Sequence, residues 1–378
     1  MERARAYGEK MSKSAGLTKG VAVAAALMAS SFAGASRASA QFYNGREPLV
    51  LMSQGSFFVG GENRVTDAVT SGAPGAGTIT INQMYVQYMY PKVSGQSKTP
   101  VIMIHGCCLS AKSWQETPDG RQGWDEYFVR NKHAVFLPDQ VSRGRSGFDP
   151  TILNEIKLGL DGKTAKDIPF ILAIGHEDAY TSFRFGATVG VPYPDEKFPV
   201  KYVDEFYKQM IPDLNGFLGP DFPPTPNPTY NNLSALAIKA GGAVIIGHSE
   251  SGFFPQNAAL VSTANIKGMV SIEPGGSCTT TNPSTLPLTP AQIKILATIP
   301  QLVMYGDHLV GSWVSSFNNC QAYAKAIKQA GGDITFIHLP DIGIRGNSHM
   351  MMIDKNNLDV ADVVLDWIDK HVDRRRGH

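Results

Sequence analysis

The chain has 378 residues, 43% of them hydrophobic and 18% charged, enough apolar material for one large α/β domain or two smaller ones. Its formal net charge of +1 gives no basis for binding nucleic acid or an anionic membrane surface. The terminal Arg374-Arg375-Arg376 reads as a frayed basic tail.

Residues 1–40 read as a secretory leader. Lys13 and Lys19 precede an apolar, alanine-rich run at 21–28, and Ala38-Ser39-Ala40 offers an A-x-A cleavage site before Gln41. Met11 would open a better-proportioned leader than Met1. The apolar core is too short to span a bilayer. The expectation is therefore a periplasmic or secreted protein, residues 41–378, with no membrane span after cleavage behind Ala40.

Downstream, residues 49–60 and 78–90 show strand patterning around a Gly/Pro-rich turn region, 71–77. A short buried strand at 100–104 runs into His105-Gly106-Cys107-Cys108. A helix over 124–130, a strand at 133–138 and the strand-end loop Asp139-Gln140-Val141-Ser142-Arg143-Gly144-Arg145-Ser146 follow. Later strands are expected at 268–272, 301–305 and 334–339, with a closing helix over 358–371. Strands alternating with helices imply a mostly parallel, doubly wound α/β sheet covered on both faces.

The interval from Asp139 to Gly241 is too long for a simple crossover. It carries Phe183, Phe185, Tyr193, Phe198, Tyr202, Phe206, Phe217, Phe222 and Tyr230, and a proline cluster at 220–228. We read about 148–235 as a lid or cap over the strand ends, where open α/β sheets bind ligands. The alternatives are a surface embellishment or an arm exchanged in a homodimer.

The chemistry centres on Gly247-His248-Ser249-Glu250-Ser251-Gly252. An apolar strand ends there and a helix-compatible segment, 253–262, begins, the pattern of a nucleophile elbow with Ser249 at its apex. The usual second glycine is displaced to Gly252. A serine hydroxyl needs a base, and the base needs a carboxylate to fix its tautomer. Of the histidines after Ser249, His349 sits in a Gly-rich loop between the last strand and the closing helix, where it can swing over the elbow. His308 is its competitor. The acid would ordinarily lie three residues beyond Gly306, but that position is Leu309. One strand earlier, Glu273 stands at a strand end beside the elbow, so Glu273 is the expected acid and Asp307 the runner-up. Two backbone N–H groups should form an oxyanion hole, one from Glu250 and one from the loop after Ile104, at Cys107. His105 reads as a structural loop histidine.

Export makes the four cysteines interpretable. A bridge between Cys278 and Cys320 would contribute about 4 kcal/mol in the chain-entropy model. Cys107 and Cys108 are neighbours whose Cα atoms stand about 3.8 Å apart, below the usual disulfide range, so a bond between them would be strained. Two free thiols are the alternative.

Taken together, His-Gly-Cys-Cys, Asp-Gln-x-Ser-Arg-Gly-Arg-Ser, His-Ser-x-Ser-Gly, Glu-Pro-Gly and Gly-Asn-Ser-His-Met-Met-Met resemble the small α/β-hydrolase family of exported bacterial esterases, over about residues 78–371. That family has a disulfide between adjacent cysteines at the oxyanion hole and a glutamate in its triad. The resemblance implies Ser249, Glu273 and His349 as triad, Cys107 and Glu250 as oxyanion donors, a Cys107–Cys108 ring and a Cys278–Cys320 bridge. It implies a serine carboxylic-ester hydrolase acting on a small-molecule ester through an acyl-enzyme. No metal-spaced His/Cys cluster or phosphate-cradling glycine loop is visible, so no cofactor or metal is expected. The competing readings are an amidase or peptidase on the same triad and a non-catalytic exported binding protein.

Overall fold

The computed structural model describes residues 47–67, 69, 75–218, 227–279 and 288–374. The leader, its cleavage site after Ala40, most of the turn region 71–77, most of the proline cluster and Arg375-Arg376 lie outside the described residues.

Among the described residues, eight strands form one mixed sheet. A long hairpin, β1 (Leu51–Thr66) and β2 (Gly77–Pro91), holds one edge. β3 (Val101–Ile104), β4 (Val135–Pro138), β5 (Ala243–His248), β6 (Ile266–Ile272), β7 (Gln301–Tyr305) and β8 (Ile334–His338) complete the order β1-β2-β4-β3-β5-β6-β7-β8. β2 pairs antiparallel with both β1 and β4, and every other pairing is parallel. β5 lies between β3 and β6, so the loops at the carboxyl ends of these three strands converge.

The central strands are apolar on both sides for a packing reason. Val244 and Ile246 of β5 enter one core cluster, while Ala243 and Ile245 enter the other. Such strands need helices on both faces. On the first face pack α1 (Trp124–Arg130), through Trp124 and Phe128, and the closing helix, through Val360 and Val364. The second face is covered through Leu233, Leu236, Phe254, Ala258, Tyr323 and Ile327.

The inserted stretch after β4 contains α2 (Thr151–Leu158), α3 (His176–Ser182) and α4 (Val203–Tyr207). The helix that follows, α5 (Pro228–Lys239), packs on β1, β2 and β5 and serves as the crossover into β5, although the expected lid ran to residue 235. Its N-terminus is capped by Asn227, whose side chain accepts the Thr229 N–H at 2.8 Å. Beyond β5 come α6 (Phe254–Val261), α7 (Pro290–Leu296), α8 (Ser312–Gln329) and α9 (Asn357–Ile368). Cys278, after β6, is bonded to Cys320 of α8, and both are fully buried.

Two expected boundaries shift for local reasons. β1 continues past Gly60 because Gly60 and Gly61, both at positive φ, leave the pairing intact and Glu62 resumes it opposite Ile81. The helix after the elbow starts late because Ser249–Phe253 first forms a tighter 3₁₀ turn.

Candidate active site

β5 delivers Ser249 into a left-handed backbone conformation, φ +60°, before the chain turns into α6. A Cβ on Gly247 would stand 1.9 Å from the Ser251 carbonyl oxygen, so glycine is required there. Ser251 fits where a glycine is usual because its hydroxyl is used. Its Oγ accepts the His248 N–H at 2.9 Å and lies 2.9 Å from the Ile104 carbonyl oxygen, stitching the elbow to β3.

Ser249, His349 and Glu273 come together from three separate loops. Ser249 Oγ lies 2.8 Å from His349 Nε2, and His349 Nδ1 lies 3.4 Å from Glu273 Oε2. His349 is held from several directions. Its backbone N–H donates to Phe183 O at 2.9 Å, its carbonyl oxygen lies 2.8 Å from His248 Nε2, and its ring packs against Phe183 and Trp313. The preceding loop is pinned by buried Asp354, which accepts from Asn347 Nδ2 and from both the N–H and the hydroxyl of Ser348. Burial raises the Asp354 carboxyl to about 7.

Glu273 also has a left-handed backbone, φ +49°, and is fully buried. Burial alone would raise its carboxyl. Arg184 and His349 outweigh that and hold it at about 2. Arg184 donates Nη2 to Oε1 at 2.6 Å and Nη1 to Oε2 at 3.0 Å, and Gly306 N–H donates to Oε1 at 2.6 Å. Burial lowers the His349 imidazole, with Glu273 opposing the shift and Arg184 adding to it. At neutral pH this arrangement presents a neutral imidazole to a serine hydroxyl and an ionised carboxylate behind the imidazole.

Asp307 and His308 are placed differently. The Asp307 carboxylate accepts the N–H groups of His308, at 2.8 Å, and Gly346, at 3.1 Å, which ties the His349 loop to β7. His308 stacks on Tyr193 and reaches Asp195 at 3.0 Å.

Cys107 lies in the loop after β3, beside the elbow. A Cβ on Gly106 would approach Ser249 Cβ to 2.6 Å, so the loop can pass this close only with glycine there. The ring expected between Cys107 and Cys108 is open in this structure. Both are free thiols, with Sγ atoms 2.8 Å apart and Cys108 at φ +58°. Contact with Cys108, and then burial, push the Cys107 thiol up, so it is no thiolate competitor to Ser249.

Beneath this loop is a polar cluster that the sequence reading did not assign. Arg143 is ion-paired with Asp213 and with Glu250, and its Nη1 donates to Gly106 O at 3.0 Å. Asn215 Nδ2 donates to Glu250 Oε1 at 3.1 Å, and Gln140 Nε2 to His105 O at 2.7 Å. His105 itself is buried, lowered to about 4 by that burial, and packs as a loop histidine. Arg143 was visible in the Ser-Arg-Gly-Arg-Ser motif. Arg184 and Asp213 of the insertion, and Trp313 of α8, carry no local signal, since only folding brings them here.

Cys107, Cys108 and Asp213, and separately Asp195, Asp307 and His308, bring potential metal-ligand atoms within 4.8 Å of one another. Asp213 is already ion-paired and Asp307 already accepts two backbone N–H groups, so neither triplet has the free donors of a metal centre. A cavity of about 650 Å³ in the insertion, walled by Ile152, Ile168, Leu172 and Phe217, reaches the cluster at Asp213.

No family model matches the chain. It is 27% identical over 376 residues to probable secreted lipase phiG of Fungal sp. (strain ATCC 74256), covering 85% of this chain and 95% of that protein. It is 42% identical to a novel bacterial esterase of known structure, with a TM-score of 0.78, covering 86% of this chain and 98% of the esterase. With that identity over nearly the whole esterase, the chain belongs to the α/β-hydrolase family of bacterial esterases.

Proposed function

We propose that the chain hydrolyses carboxylic esters through an acyl-serine intermediate. Ser249 Oγ attacks the ester carbonyl carbon while His349 Nε2 takes its proton. The resulting oxyanion is received by the N–H groups of Cys107 and Glu250. His349 returns the proton to the departing alcohol as the acyl-enzyme forms. Water, deprotonated by the same nitrogen, then releases the acid and restores Ser249. Glu273 holds the imidazole in the tautomer with its proton on Nδ1 and stabilises the imidazolium. The 2.8 Å contact between Ser249 Oγ and His349 Nε2, with Nδ1 turned to Glu273, carries this reading.

We also propose that the chain is exported. The leader, cleaved after Ala40, would deliver the protein to an oxidising space, which suits the buried Cys278–Cys320 bridge. There the Cys107 and Cys108 thiols would close into a ring by exchange with a disulfide oxidant, losing two protons and two electrons to it. The insertion over about 148–235 would cover the substrate. N-terminal sequencing of the exported protein tests the cleavage site, with Gln41 expected first. Turnover of p-nitrophenyl esters of graded chain length, set against matching anilides, tests the reaction. Ester turnover lost in Ser249→Ala supports it, and anilide turnover exceeding ester turnover would move the activity to amide cleavage.

A further inference from the structure

Arg184 lies in the insertion, two residues beyond the end of α3, and its side chain is fully buried. Glu273 is 89 residues away in sequence, yet the guanidinium holds it by two hydrogen bonds, and Arg184 Nε donates to Asp307 O at 2.9 Å. The Arg184 backbone is in the left-handed region, φ +61°, uncommon for a long side chain and costly unless its surroundings enforce it. Its neighbours bond to the site as well. Phe183 O accepts the His349 N–H, and Ser182 O accepts the Trp313 indole N–H at 2.8 Å. Three consecutive residues of the insertion thus hold the base, the aromatic ring beside it and the acid.

Resting on the triad reading above, we infer that Arg184 is a positioning residue for hydrolysis, fixing the Glu273 carboxylate against His349 and keeping that pair in its charge state for catalysis. A buried guanidinium is costly to desolvate unless it is paired, and bidentate pairing with a carboxylate is the geometry that also fixes orientation. Oε2 is the oxygen shared between Arg184 Nη1 and His349 Nδ1. Rotating the carboxylate to favour the imidazole would break an Arg184 bond.

The charged and titratable groups around the pair come from every neighbouring element. His248 at the end of β5 stacks near His349, and Tyr305 of β7 bonds to Pro274 O behind Glu273. Asp307 and Asp354 turn their carboxylates to backbone and side-chain donors of the 346–348 loop. Among these, Arg184 is the cation in ion-pair contact with Glu273. It opposes protonation of the carboxylate, which would break the ion pair, and of the imidazole, which it repels. Neutralising Arg184 therefore moves the acid limb of kcat/KM to higher pH whichever group takes the proton.

The experiment compares Arg184→Gln, Arg184→Lys and Glu273→Gln with the unaltered enzyme on p-nitrophenyl acetate across pH. For Arg184→Gln, kcat should fall roughly ten- to a hundred-fold, short of the ~10⁴-fold loss of a misoriented triad base. KM should stay within about twofold, because the uniform binding of substrate is untouched. The acid limb should move up. Arg184→Lys restores the charge, so its limb should return to the original pH while kcat recovers in part. An unchanged kcat or an unmoved acid limb in a folded Arg184→Gln enzyme overturns the inference. Should that variant not fold, Arg184→Lys decides alone: reduced kcat at unchanged KM supports the inference, and the original kcat overturns it. Activity retained in Glu273→Gln would instead break the triad reading itself.

Discussion

Beside the imidazole, one guanidinium, Arg184, meets one carboxylate, Glu273. Under the Cys107 loop, Arg143 meets two, Asp213 and Glu250. In the first region the carboxylate's free edge points at a group that titrates, His349. In the second, further lone pairs are taken by Asn215, Gln140 and, at 3.5 Å, the protonated Cys107 thiol, and Arg143 Nη1 also holds the Gly106 carbonyl. Charge in the first region borders an imidazole that on the proposed reading carries the proton, while charge in the second holds backbone still. The two arginines look alike in burial and differ in what they are connected to.

Removing the groups one at a time separates the two regions. The largest effect is expected for Ser249→Ala, which should lower kcat by about 10⁶-fold, as removal of a triad nucleophile does. Stoichiometric labelling of Ser249 by an organophosphate provides the check, and label on another residue would refute the assignment. Next, Glu273→Gln should cost about 10⁴-fold in kcat with the fold retained. Asp307→Asn should cost far less, since its carboxylate serves only the 346–348 loop and His308 N–H. A reversed ranking would transfer the acid role to Asp307.

Arg143→Gln leaves Asp213 and Glu250 buried without their cation. It should destabilise by roughly 3–5 kcal/mol, read as a lowered denaturation midpoint, with the acid limb of whatever activity survives in place. A shifted limb with unchanged stability would erase the distinction between the two regions. The cysteines sharpen it further. Cys278→Ser/Cys320→Ser should reduce stability by up to about 4 kcal/mol with little effect on kcat. Cys107→Ser/Cys108→Ser should lower kcat several-fold with a small change in midpoint, because a ring of two residues restricts the unfolded chain little. Alkylation before and after mild oxidation, read by mass spectrometry, reports whether the ring closes.

The smallest effect is on the unaltered enzyme. Because burial lowers His349, the acid limb of kcat/KM should lie below the ordinary imidazole value of about 6.5. Stability follows the same sign. Glu273, held at about 2, contributes fully above its unfolded value of about 4.3 and loses that contribution as pH falls through about 2. A limb above 6.5 would mean that Glu273 outweighs burial and Arg184.

The parallel part of the sheet was legible because its strands are short, apolar and punctuated. The run 243–247 ending in a small-residue turn admits few other readings. Ser249, Glu273 and His349 were each readable from a strand end or loop position, and Leu309 excluded the commoner place for an acid. Arg184 was not readable, since no periodicity or spacing links a residue after a short helix in the insertion to a carboxylate 89 positions later. The insertion's aromatics showed the same limit. Phe183, Phe185, Phe198 and Phe206 are buried against one another, while Tyr202 remains exposed, a division set by packing that composition cannot express.

The grip of residues 182–184 on the site has a consequence for how the protein is made. Synthesis proceeds from the N-terminus, and the groups at the site enter the chain in the order Cys107, Arg184, Ser249, Glu273, His349. The guanidinium is thus produced well before the carboxylate it binds, and the imidazole later still. Cys107 and Arg184 precede Ser249 in the chain, and Glu273 and His349 follow it. Such contacts, distant in sequence, form late and slowly in folding. On the proposed reading, a newly made molecule would reach full turnover only when the insertion docks onto loops synthesised after it.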